Sequence, residues 1–279
     1  MTSIGVVTDS TADLEPELQQ RLGLAVVPLV VNWDGQTYRD KIDLGPSEFY
    51  GRLRTSKSLP KTGAPSIAAF EAAFREQLSR HDGVVCINLA SGLSGTCNVA
   101  QRAAESVDQQ RIRVVDSGSV SVCMGWLAEM AVNLGREGAP LDAIVERLEE
   151  TRGRLRILAL LETLTFLQRG GRIGRAAALA GTLLSVKPIL SVRDGEVAPV
   201  ERVRTMHSAL RRLVELVVAQ GPIERLGVMH ADSPANAAEV EAQLRAHYPE
   251  VTIDRGELGP VVGTHGGPGV IGVGVLLAR

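Results

Sequence analysis

The 279-residue sequence predicts an α/β protein, and three observations carry that expectation. Short β-branched runs bounded by turn signals recur through the first half of the chain, and stretches of helical periodicity separate them. No apolar run reaches the ~18 residues that would span a bilayer. Strands alternating with helices imply a mostly parallel sheet covered on both faces. The length suffices for one large domain or two medium ones.

In order, residues 4–8 read as the first strand, and Met1-Thr2-Ser3 before them lacks the charged region of a secretory leader. Residues 25–31 form a second apolar strand, with a short helical stretch in between. Ser66 is placed to cap a helix that carries Phe70 and Phe74, four apart on one face. Residues 84–89 and 112–116 are strands, with a helix from Ser94 to about Val107 between them. Further helices cover residues 119–136 and 140–151, the latter with Pro140 in its first turn. Beyond residue 155 the rhythm changes. A strand over 155–160 leads into a helical stretch over 162–168 and the turn Arg169-Gly170-Gly171-Arg172. Strands over 187–192 and 196–203 flank Arg193-Asp194-Gly195, and Asp-Gly in that setting signals a hairpin, hence antiparallel pairing. Ser233-Pro234 opens an Ala-rich amphipathic helix, and residues 270–277 are a last apolar strand. The expectation is an N-terminal α/β domain over 1–154, with a mostly parallel sheet and flanking helices. An α+β domain with a mixed or antiparallel sheet follows over 155–279, and no internal repeat is present.

Composition narrows the function. Thirty Lys and Arg against 32 Asp and Glu leave a formal charge of −2, so no field advertises a nucleic-acid partner. Cys86, Cys97 and Cys123 lack CxxC spacing and read as free, buried thiols, which points to the cytoplasm. No HExxH or Cys/His cluster suggests a metal, and no GxxxxGK[ST] loop suggests ATP. Gly267-Pro268-Gly269-Val270-Ile271-Gly272 fits GxGxxG only formally, because seven residues remain after it and no βαβ unit can follow. No cofactor is expected.

Three Gly- and hydroxyl-rich turns carry the chemistry: Lys61-Thr62-Gly63-Ala64-Pro65-Ser66, Ser91-Gly92-Leu93-Ser94-Gly95-Thr96, and Gly263-Thr264-His265-Gly266-Gly267-Pro268-Gly269. Small hydroxyls and free backbone N–H groups suit a small anionic head group. Ser94, expected at a helix start, would aim its hydroxyl and the first-turn N–H groups at one point, with Gly95 beside it. His265, expected in a glycine-rich loop, can donate to a carboxylate or act as a base. Among the arginines, Arg172 and Arg204 lie at turns beside apolar segments, where a guanidinium fork suits carboxylate or phosphate, whereas Arg169 reads as more exposed.

With these residues in place, the chain closely resembles the DegV family of bacterial fatty-acid-binding proteins. The resemblance runs from Val7-Thr8-Asp9-Ser10-Thr11-Ala12-Asp13-Leu14 through the first two turns. It continues at Val115-Asp116-Ser117, Gly170-Gly171-Arg172-Ile173, Lys187-Pro188-Ile189-Leu190 and Val203-Arg204-Thr205, and ends at Gly263-Thr264-His265 and Gly267-Pro268-Gly269. It implies two domains holding a long-chain fatty acid, with Thr62 and Ser94 on the carboxylate and His265 assisting. It further implies a non-catalytic lipid-binding subunit in phospholipid metabolism, presenting the acid to a separate ATP-dependent fatty acid kinase for acyl-phosphate formation. Arg172 and Arg204 would then serve phosphotransfer or docking of that kinase, and transient contact with a membrane or acyltransferase would follow. The chain departs from the family pattern at Gly63-Ala64, at Cys97-Asn98 and at Met206-His207-Ser208, where a basic run is usual.

Two other readings stand beside this one. A serine hydrolase would use Ser94 as nucleophile and His265 as base, although Gly92-Leu93-Ser94-Gly95 is not GxSxG and no orienting acid is evident. A lipid sensor or buffer would bind the same acid and never meet a kinase.

Overall fold

A computed structural model describes residues 3–179, 186–193 and 195–279. Strands β1 (Ile4–Asp9) and β2 (Ala25–Val27) flank helix α1 (Pro16–Leu22), which starts on a proline and ends on Gly23 in the left-handed conformation. The apolar run expected as one strand over 25–31 is two. Pro28 interrupts it, and the chain leaves β2 to begin β3 (Val30–Trp33) in another sheet. Strand β3 pairs with β4 (Gln36–Arg39), and after helix α2 (Pro46–Thr55) with β5 (Lys61–Gly63), giving a small antiparallel sheet that the sequence reading missed.

Ser66 caps α3 (Ile67–Leu78) as expected, its hydroxyl accepting from the Ala69 N–H at 3.2 Å, and Phe70 and Phe74 are fully buried. Strand β6 (Gly83–Asn88), helix α4 (Thr96–Val107), strand β7 (Ile112–Asp116) and helices α5 (Val122–Arg136) and α6 (Leu141–Arg152) complete the first half. Strands β1, β2, β6 and β7 form a wholly parallel sheet in the order β2-β1-β6-β7.

The second half opens with β8 (Leu155–Leu160) and α7 (Thr165–Arg169), a shorter helix than the stretch expected over 162–168. Strands β9 (Lys187–Arg193) and β10 (Glu196–Val203) pair antiparallel as a hairpin requires, although Asp194 of the expected turn lies outside the described residues. Helix α8 (Met206–Val218), strand β11 (Ile223–His230), helix α9 (Pro234–His247), strand β12 (Thr252–Glu257), helix α10 (Pro260–Gly266) and strand β13 (Ile271–Leu277) follow. The six strands run in the order β10-β9-β8-β13-β11-β12. Every pair is antiparallel except β11 with β12, so the sheet is mixed.

The layers follow from which faces are apolar. Helices α3 and α4 cover one face of the parallel sheet through Phe70, Phe74, Ala100 and Ala103. Helices α8 and α9 cover the outer face of the mixed sheet through Leu210, Leu213, Val240 and Leu244. Between the inner faces runs α5, apolar on nearly every side and buried from Val122 to Ala128. Its core joins Val85 and Ile87 of the first sheet to Leu190 and Met229 of the second. Among the described residues no helix is long and apolar enough to cross a membrane.

Candidate functional site

Ahead of the N-terminal end of α5, at Val120 to Val122, the middle layer is hollow. The cavity lies beyond the carboxyl ends of β1 and β6, marked by Thr11 and Leu89. There the chain order of the parallel sheet reverses, the position where open α/β sheets bind ligands. Its floor is the inner face of the mixed sheet, including Ala159, Met229 and Gly272, and its walls are mostly aliphatic. The cavity volume is about 160 Å³.

At its polar end stand Thr62, Ser94, Arg172 and His265. Thr62 is held on β5, where it pairs with Val31 of β3. His265 is not in a loop. Residues Pro260 to Gly266 form α10, because Pro260 is pre-set for a first turn and the Thr264 hydroxyl returns to the Pro260 carbonyl at 2.8 Å. The glycines that suggested a loop serve close packing instead. A Cβ on Gly263 would stand 2.5 Å from Tyr50 Oη, and one on Gly170 would collide with the imidazole of His265. His265 Nε2 lies 2.7 Å from Thr62 Oγ1, while its Nδ1 is buried without a partner. Burial, and then the nearby Arg172 guanidinium, push the His265 pKa down to about 4, so the ring is neutral at physiological pH.

Ser94 sits two residues before the helix it was expected to open, because Ala90 closes a tight turn by accepting from Leu93 and Ser94 N–H groups, and α4 begins only at Thr96. The Ser94 hydroxyl lies 2.9 Å from Thr96 Oγ1. Gly95 is exposed in a shallow groove outside the cavity, shared with Ser94 and Cys97. Arg172 ties two turns together: its Nε donates to the Leu93 carbonyl at 3.2 Å and its Nη1 to that of Gly170 at 2.9 Å. Arg204 is exposed just before the Thr205 cap of α8 and does not line the cavity.

The hydrolase relay is not formed in this structure. Ser94 is engaged by Thr96, Thr62 takes the histidine Nε2, and among the described residues no carboxylate meets Nδ1. All three cysteines are free; Cys86 and Cys123 are buried and Cys97 half-buried, and burial pushes the Cys97 and Cys123 thiols up to about 12, away from reactivity. Among the described residues, no group of three or more His, Cys, Asp or Glu is arranged to hold a metal ion.

A family model described as "Uncharacterised protein, DegV family" matches residues 3–278. This chain belongs to the DegV family. Protein DegV of Bacillus subtilis is 36% identical over 276 residues, covering 97% of this chain and 98% of that one. Among solved structures, a fatty-acid-binding DegV family protein from Thermus thermophilus superposes with a TM-score of 0.93 at 34% identity, over 99% of this chain and 100% of its own. DegV of B. subtilis, described as a fatty acid binding protein, gives 0.91 at 34% identity over the whole of both chains. A stearic acid-binding protein from Eubacterium ventriosum gives 0.87 at 27%, over 99% and 98%. The family fold is thus this α/β architecture, with its parallel and mixed sheets.

Sequence reasoning missed the floor of this cavity. Its signal was present in β13, where Ile271-Gly272-Val273-Gly274-Val275 alternates β-branched and side-chain-free positions. Ile271, Val273 and Val275 join the outer core, which leaves both glycines on the inner face.

Proposed function

We propose that this chain binds a long-chain fatty acid, with the acyl chain in the aliphatic cavity and the carboxylate among Thr62, Ser94 and His265. One observation carries the reading: a cavity walled by aliphatic side chains ends on a neutral histidine–threonine pair, with a single guanidinium nearby. That polarity pattern suits a hydrocarbon with one small anionic end. Burying about a dozen methylenes at ~0.8 kcal/mol each gains on the order of 10 kcal/mol, of which ordering the chain consumes part. The hydrocarbon therefore dominates affinity, and neutral donors suffice to orient the head. Fatty acid binding by the Thermus, Bacillus and Eubacterium relatives supports the same ligand class.

The finer reading is that the chain is a non-catalytic carrier presenting the acid to a separate ATP-dependent kinase. Arg172 at the polar end of the cavity and the exposed Arg204 would serve phosphotransfer and docking. Hydroxyl contacts hold a carboxylate weakly enough to leave it reactive, which favours presentation over storage.

The test is mass spectrometry of the purified protein, native and then solvent-extracted, followed by uptake of added fatty acid. A stoichiometric fatty acid is expected. A protein that is empty and refuses added acids refutes the ligand. If binding holds but no acyl phosphate forms with a fatty acid kinase and ATP, the carrier role alone falls.

A further inference from the structure

A buried polar cluster grips the opposite end of α10 from His265. Asp13 and Asp40 are 6% and 1% exposed. Asp13 Oδ1 accepts from the Gly259 N–H at 2.9 Å and pairs with Lys41 Nζ at 2.8 Å, while its Oδ2 accepts from Ser121 Oγ at 2.7 Å. Asp40 Oδ1 accepts from the Val261 N–H at 3.2 Å. Tyr50 Oη donates to the Leu258 carbonyl at 2.9 Å. Side chains from three places in the first half thus hold the backbone of residues 258–261. One uncharged hydroxyl is enough to cap a helix, and a buried carboxylate is a costly alternative. Two of them exceed what capping requires. Ser121 and Asp13, bonded to each other, also both hold a positive φ, a conformation that persists only where surroundings enforce it.

The small antiparallel sheet completes the grip. Its β5 carries Thr62, which meets His265 at the last turn of α10, and its β4 runs directly into Asp40, which meets the first. Gly170 leaves the imidazole no room on its other side.

We propose that Asp13 and Asp40 are positioning residues for His265: by holding the Gly259 and Val261 N–H groups they fix α10, and through it the imidazole against Thr62. The consequence for ligand affinity rests on the fatty acid reading, but the positioning itself does not.

The test is therefore made on ligand-free protein. The five histidines are labelled with ¹⁵N, His265 is assigned through His265→Gln, and its ring shifts are followed against pH by NMR. Arg172 is the charged group that acts on His265, whereas Asp40 is surrounded by Lys41, Asp13 and Tyr50. Asp40→Ala is expected to raise the His265 midpoint by about one unit or more, toward the ordinary histidine value, as the ring loosens into water. Asp40→Asn, which keeps an acceptor for Val261, is expected to restore the wild-type curve. Oleic acid binding should weaken about tenfold in Asp40→Ala and recover in Asp40→Asn. Should Asp40→Ala not fold, Asp40→Val, which likewise offers the Val261 N–H no acceptor, is carried through the same titration with the same expectation. Ile144→Val, a core change in α6, controls for general loosening. If it moves His265 as far as Asp40→Ala does, or if Asp40→Ala and Asp13→Ala both leave the His265 curve unmoved, the positioning role is wrong. Wild-type protein that ignores oleic acid would sink the ligand reading while the titration still decided this one.

Discussion

Gly272→Val should separate ligand binding from stability. Gly272 lines the cavity on the inner face of β13, and a Cβ placed there finds its nearest neighbour, Met229 Cβ, at 3.8 Å, ordinary van der Waals contact. The valine side chain puts three carbons where acyl carbons would lie. At ~0.8 kcal/mol per displaced methylene, the loss is about 2–3 kcal/mol, or roughly 30- to 150-fold in affinity for a long-chain acid. The fold should gain instead, because valine in a strand interior replaces the residue with most entropy to lose, worth about 0.5–1 kcal/mol. Its neighbour on the same face behaves oppositely. A Cβ on Gly274 would stand 2.6 Å from Val122 and 3.0 Å from the Cys123 sulfur, so Gly274→Val should cost about 1–3 kcal/mol of stability. The assay pairs calorimetric titration with oleic acid against denaturant unfolding of the ligand-free proteins. Gly272→Val protein that binds oleic acid as tightly as wild type would show that the acyl chain does not occupy this cavity.

Further expectations concern single side chains. His265 is held neutral to about pH 4, against about 6.5 when unfolded, so its contribution is present above pH 6.5 and lost as pH falls through 4. Allowing for the ring's partial exposure, that is about 2 kcal/mol, and His265→Gln should flatten this part of the acid limb in a pH series of urea melts. Asp40 works the other way. Burial raises its carboxyl to about 6, so its contribution is present below about pH 4 and lost as pH rises through 6. Asp40→Asn should accordingly stabilise the protein at pH 7 by an amount on the order of 1–3 kcal/mol, and an unchanged or lower urea midpoint would contradict the burial argument. Ser94→Ala should reduce acyl-phosphate formation by a fatty acid kinase more than it reduces acid binding; equal effects on both would remove its assigned role. Ser66→Ala, which deletes the α3 cap, should cost about 1 kcal/mol in the same melts.

The alternation of strands and helices, the Ser66 cap and the β9–β10 pairing were legible because each is written locally, in periodicity or turn chemistry. What the sequence hid is non-local. The glycines around His265 read as a loop because glycine favours loops intrinsically, yet Gly263 is there to let Tyr50 approach, as Gly170 of a distant turn is for the imidazole. Nothing near those positions names the residue that fills the space. Pro28 was a visible signal for ending a strand, outweighed in the sequence reading by the apolar run around it. The hydroxyls of Thr62 and Ser94 were found by residue type, but their partners were not, since Thr62 meets His265 across 203 positions and Ser94 turns to Thr96.

The place of β13 has a consequence for how the molecule comes into being. It lies between β8 and β11, antiparallel to both, although β8 precedes it by more than a hundred positions. Until β13 arrives, the facing edges of β8 and β11 have no partner, and the aliphatic surfaces of the middle layer have no floor. Pairings of such long range form late and slowly, so an apolar, open-edged intermediate should accumulate while the polypeptide is still growing. If the proposed ligand is right, an acid present during synthesis meets a cavity that is not yet closed, and cell-free synthesis with added oleic acid is expected to return more folded protein than synthesis without it.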